Sequence, residues 1–78
     1  MNVTLLPVPG NGQKTLHFAN RTSVTVRDVI NTASRTHGID MKNREISVNG
    51  EKVSAGNYDT HAVWPGDLCT ATGVVKGA

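Results

Sequence analysis

Few side chains in this 78-residue sequence could do chemistry. His17, His37 and His61 are the only imidazoles. None stands at i, i+4 on a helix, and none belongs to an H-x-x-x-H or Cys-His group, so metal-ligand spacing is missing. His61 follows Asp59 by two positions, but no nucleophile motif stands nearby. Cys69 is the single cysteine, which excludes an intrachain disulfide and a cysteine-based zinc site. It alternates with polar residues and reads as a small strand residue in a reducing compartment. Gly10-Asn11-Gly12 neither opens a helix nor precedes Lys-Ser/Thr, so it is a turn and not a phosphate loop. Nothing pairs carboxylates for acid–base work. The expectation is a chain with no catalytic residue, no metal and no cofactor, and hence not an enzyme.

What remains is chemistry of contact. Trp64 precedes Pro65-Gly66. It either caps a thin core or stands out as an anchor for a partner, and capping is the preferred expectation. Leu5 and Leu6 are adjacent, so in a strand they lie on opposite faces and one must leave the core. Val74 and Val75 are the last apolar residues. Leu5 or Leu6 with Val74 or Val75 makes the expected partner-binding patch, with Trp64 as its rival anchor. Lys76, Gly77 and Ala78 form the candidate functional tail.

Composition sets the frame for these residues. The length suits one small domain, residues 1–78, whose core must be thin. Hydrophobic residues make up 37%, and Phe18, Tyr58 and Trp64 are the only aromatics, which supports one helix on one sheet and not a deep pocket. Eight Lys and Arg against six Asp and Glu leave a net charge of +2, spread along the chain without a run. Nucleic-acid binding by counterion release wants clustered charge, so a protein partner is expected instead. No apolar run of about 18 residues marks a membrane span. The start lacks a basic segment followed by a long apolar run, so the expected setting is the cytoplasm.

One helix is written plainly. Val26, Val29, Ile30 and Ala33 fall at i, i+3, i+4 and i+7, with polar residues opposite. Thr25 and Asp28 can form a capping box, Arg35 and His37 suit the negative helix end, and Gly38 can stop it. Alternation predicts strands at Asn2 to Val8 and Lys14 to Asn20, joined across Pro9-Gly10-Asn11-Gly12. Ile46 and Val48 mark a third strand, and Asn49-Gly50 predicts a two-residue turn into a fourth at Glu51 to Val53. Ser54 to Trp64 shows no periodicity, although Asp59 could cap a short helical turn. Pro65-Gly66 predicts a type II turn, and Asp67 to Val75 the last strand.

The order strand, strand, helix, strand, strand, strand implies an α+β fold. It is a β-grasp, or ubiquitin-like, roll: a mixed sheet with one helix on one face and the last strand parallel to the first. Val29, Ile30 and Ala33 should pack on Val3, Leu16, Phe18, Ile46 and Leu68. Residues 72–78 should be the end of the strand and a mobile tail.

Four short stretches then carry a resemblance: Thr25-Val-Arg-Asp-Val-Ile, Val48-Asn49-Gly50, Pro65-Gly66-Asp67 and the closing Gly73-Val-Val-Lys-Gly-Ala78. Together they resemble the helix start, the third-strand hairpin, the approach to the last strand and the C-terminus of sulfur-carrier proteins, the ThiS and MoaD families. Asn-Gly and Gly-Asp also occur in TGS domains, another β-grasp family. The resemblance implies activation of the C-terminus by an ATP-dependent adenylating enzyme. Carriers of this kind finish in Gly-Gly, whereas this sequence finishes in Gly77-Ala78. The expected function is therefore that of a ubiquitin-like protein acting by contact through the open sheet face and tail. The alternative is a ThiS/MoaD-type carrier or protein modifier.

Overall fold

Thr25 starts the helix as its sequence requires. The Thr25 N–H donates to Asp28 Oδ2 at 3.0 Å, and the Asp28 N–H donates to Thr25 Oγ1 at 3.2 Å. This reciprocal cap opens α1 (Val26–His37), which stops where Gly38 turns left-handed. The computed structural model describes residues 1–9 and 12–73. Their strands are β1 (Asn2–Val8), β2 (Lys14–His17), β3 (Val24–Thr25), β4 (Arg44–Val48), β5 (Glu51–Val53), β6 (Ala62–Val63) and β7 (Leu68–Gly73), with a 3₁₀ turn at Ala55–Asn57.

Five strands form one sheet in the order β2-β1-β7-β4-β5. β1 and β7 run parallel, and the other pairs are antiparallel. The helix covers one face, which makes the β-grasp roll of the α+β class. Pro7 lies within β1 and is tolerated there, because β2 pairs with β1 only as far as Leu5. Asn49 and Gly50 turn β4 into β5 with φ of 51° and 86°, as a type I′ turn requires, and Ile46 faces Val53 across the hairpin.

The core holds Val3, Leu5, Leu16, Val24, Val26, Val29, Ala33, Ile46, Val48, Val53, Val63, Cys69 and Ala71. Three expectations shift. Leu68 is 40% exposed, because β7 turns Cys69 and Ala71 toward the helix and Leu68 to the other face. Both faces of that strand carry apolar residues, so alternation alone left its parity open. Ile30 and Phe18 are half-buried and pack at the edge of the core. The second strand stops at His17, after which Phe18 and Met1 hold each other through main-chain bonds of 2.9 and 2.7 Å.

A small two-stranded ribbon was not foreseen. β3 pairs with β6, and Val24 and Val63, directly opposite, are both buried. The segment that leads into β6 also finishes the helix start. The Val26 and Arg27 N–H groups donate to the carbonyls of His61 and Tyr58 at 3.1 and 2.8 Å. Two of the donors that a helix start leaves open are thus closed by the chain itself. Asp59 caps no turn. It accepts from Arg27 Nε at 3.0 Å, and the Arg27 guanidinium lies 5.5 Å from the centre of the Tyr58 ring.

Candidate functional site

Strand parity and register define the uncovered face of the sheet. Thr4, Leu6 and Val8 of β1 share it with Thr15 and His17 of β2, with Leu68, Thr70 and Thr72 of β7, and with Glu45 and Ser47 of β4. Hydroxyl side chains dominate. Leu6 is half-buried, and Val8 and Leu68 are exposed by 43% and 40%. Glu45 pairs with Lys52 at 3.6 Å on the β4–β5 side of the face. The Leu5 candidacy is corrected: its side chain is fully buried in the core, so Leu6 is the leucine that reaches the open face.

Trp64 also differs from the expectation. It caps nothing and is 54% exposed. Its main-chain N–H donates to Asp67 Oδ2 at 2.9 Å, while Asp67 Oδ1 accepts from Asn49 Nδ2 at 3.0 Å. Asn49 in turn accepts from the Leu68 N–H at its Oδ1, 2.9 Å away, and donates its own N–H to the Leu68 carbonyl at 2.8 Å. The Asn49-Gly50 and Gly66-Asp67 turns, far apart in sequence, are therefore two halves of one latch. The latch fixes the start of β7 and leaves Trp64 and Leu68 facing solvent.

The opposite end of the sheet is built differently. There β1 and β7 finish, β2 and β4 begin, and the helix ends. Arg44 Nε donates to the Asp40 carbonyl at 2.7 Å, and Nη1 donates to the carbonyls of Pro9 and Ala71 at 3.2 and 3.0 Å. One guanidinium thus ties three segments together around the last described residue of β7. Gly73 is pressed against Pro9: a Cβ at Gly73 would lie 2.8 Å from Pro9 Cδ and 3.3 Å from the Val8 carbonyl oxygen. Only glycine fits there without a shift. Val74, Val75, Lys76, Gly77 and Ala78, together with the expected mobile tail, lie beyond this point and outside the described residues.

From Leu68 to Gly73 the strand rises about 16 Å. Trp64 and the exit of β7 are therefore at opposite ends of the same strand. They cannot form one small site, although Leu6 lies between them on the neighbouring strand.

Burial, and then the nearby Asp67 carboxylate, push the Cys69 thiol up to about 11, so it stays protonated at neutral pH. His17 Nδ1 lies 2.7 Å from Asn2 Oδ1 at the surface. Among the described residues no three His, Cys, Asp or Glu side chains gather as a metal site would need, and no helix is long and apolar enough to cross a membrane.

No family model matches the chain, and no curated protein matches it in sequence. Among solved structures it is similar to the crystal structure of the thiamine biosynthesis protein ThiS from Geobacter metallireducens. The TM-score is 0.69 at 22% identity, and the match covers 100% of both chains. At that identity the likeness establishes the fold, a ThiS-like β-grasp over the full length of both proteins.

Proposed function

We propose that this protein is a ubiquitin-like carrier that works through protein contacts and presents the residues after Gly73 to an ATP-dependent adenylating enzyme. The observation that carries the reading is the placement of β7. It is the central strand, parallel to β1, locked at its start by the Asn49–Asp67 latch and bracketed at its end by Pro9 and Arg44. So firmly seated a strand makes the body a rigid handle for residues 74–78. The full-length likeness to ThiS supports the same reading.

In the carrier chemistry the folded body supplies no reacting group. Where Ala78 is the free end of the chain, its carboxylate oxygen attacks the α-phosphorus of ATP and expels pyrophosphate. A sulfur nucleophile then displaces AMP from the acyl carbon. The Leu6, Val8 and Leu68 side of the open face and the exposed Trp64 supply contact area for the enzyme.

The test is ATP–pyrophosphate exchange with a ThiF- or MoeB-like adenylating enzyme. Wild-type protein should support exchange, and Ala78→Gly should raise it by removing the one methyl group that separates this ending from Gly-Gly. Exchange with neither would overturn the carrier reading. A thiocarboxylate in the intact protein isolated from its host, one oxygen replaced by sulfur, would support it independently.

A further inference from the structure

The cations that are spread along the sequence do not stay spread in the fold. Lys14 opens β2, Arg35 lies in the last turn of α1, Lys42 lies in the connection after it, and Arg44 opens β4. All four are at the end of the sheet where β7 finishes. One carboxylate, Asp40, stands among them. Glu45, the next residue of β4, faces the open side and is offset by Lys52 at 3.6 Å. Four cations against one carboxylate exceed the net charge of +2 of the whole chain, so everything else together is slightly negative. The other two ion pairs among the described residues, Arg21–Asp28 and Arg27–Asp59, lie around the helix start.

The patch has relief as well as charge. Lys14, His37 and Arg44 line a cleft of about 220 Å³ together with Pro7, Pro9 and Asp40. This volume suits a carboxylate-sized group and not a nucleotide. Arg44 is held in place by its three carbonyls, so its charge is fixed at the back of the cleft. Lys14 is half-exposed and His37 is exposed, while Lys42, also exposed, stands beyond Asp40 in the neighbouring cleft that Asp40 shares, and Arg35 is exposed on the last turn of α1. No Phe, Tyr or Trp lines the cleft, and His37 is its one ring. A single-stranded nucleic acid would want a stacking platform there, and four cations beside a carboxylate make a short track for a phosphate backbone.

We infer that the end of the sheet from which the chain continues past Gly73 is an electrostatic docking surface, in which Lys14, Lys42 and Arg44 receive Asp or Glu side chains of a partner protein. The inference rests on the carrier reading for the identity of that partner, an adenylating enzyme with an acidic rim around its active-site entrance. The basic collar surrounds the exit of β7. Charge pairing there orients the carrier so that its last residues point into the partner before any apolar contact forms. Charges of this kind act on encounter and register more than on chemistry, and they weaken with salt.

Two measurements test it. The first needs no enzyme: a hexaglutamate peptide is titrated into ¹⁵N-labelled wild-type protein, with inorganic phosphate and a short oligoribonucleotide in parallel. Peptide-induced shifts should concentrate on Lys14, His37, Lys42 and Arg44 and be lost in Lys14→Glu/Lys42→Glu. Shifts scattered equally over Arg21, Arg27 and Lys52, or a stronger and equally localised response to the oligoribonucleotide, would overturn the inference. The second uses pyrophosphate exchange with the same adenylating enzyme. Lys14→Glu/Lys42→Glu should raise the KM for the carrier at least tenfold with kcat nearly unchanged, whereas Arg21→Glu at the other end should change KM less than twofold. Unchanged KM in the double variant, or an equal rise in Arg21→Glu, would also overturn it. Absence of exchange with both wild-type protein and Ala78→Gly disposes of the carrier reading instead, and the peptide titration then decides the docking surface.

Discussion

The two ends of the β7 strand solve opposite problems with similar materials. At its start, Asn49 and Asp67 satisfy each other and the main chain around Trp64 and Leu68, leaving apolar side chains exposed and the polar ones engaged. At its finish, Arg44 engages three carbonyls, while the cations around it keep their charge directed at solvent. The first end is a joint, with its hydrogen-bonding capacity spent inside the molecule. The second is a presented surface. The difference teaches where to look on a small domain. Satisfied polar groups mark architecture, and gathered unsatisfied charge marks a meeting place.

The comparison breaks most readily at Arg44. Arg44→Ala should cost about 2–3 kcal/mol in urea unfolding, because three charge-assisted bonds to carbonyls are lost at once. A loss under about 0.5 kcal/mol, the range of ordinary surface changes, would mean that this end is not held by the guanidinium.

Between the two ends, Cys69 reports on how closed the core is. Its thiol is raised to about 11, above the ordinary value of 9.0, so the folded protein holds the proton more tightly than the unfolded chain does. The associated stability is intact below about pH 9 and should fall by roughly 2–3 kcal/mol as pH rises toward 11. Other groups titrate in the same window. The expected signature is therefore a flatter alkaline profile in Cys69→Ala than in wild type, with no reaction of native Cys69 toward a thiol reagent at neutral pH.

At the latched end, Asp67→Ala and Asn49→Ala should each cost about 1–2 kcal/mol, and together less than their sum by about 0.5–1.5 kcal/mol, since each removes the same bond. Strict additivity in a double-mutant cycle would show that the two turns are held independently. The smallest effect belongs to the presented surface itself. Lys42→Ala should stay within about 0.5 kcal/mol of wild-type stability, because its charge serves no internal partner among the described residues. A larger loss would make the collar structural.

Local pairings were legible in the sequence, and long-range ones were not. The helix, its Thr25–Asp28 box and its Gly38 stop could be read because each depends on residues within four positions of one another. The Asn49-Gly50 turn was equally legible, since positive φ at both positions is a property of those two residue types. By contrast β3 and β6 are two residues each, too short for any period, and exist only because Val24 meets Val63. Of the candidate site, Leu6 was readable only as one of two adjacent leucines. Trp64 was expected in the core, and the basic collar was invisible because Lys14 lies far in sequence from Lys42 and Arg44.

The sequence by itself determined the fold class, the order of most of its elements and the absence of recognisable catalytic spacing, because periodicity, caps and turn residues act over a few positions. Tertiary structure decided which face of β7 is inside, which turns latch together and where the cations collect. Those outcomes depend on register across the sheet, and a shift of a single residue there exchanges one face for the other.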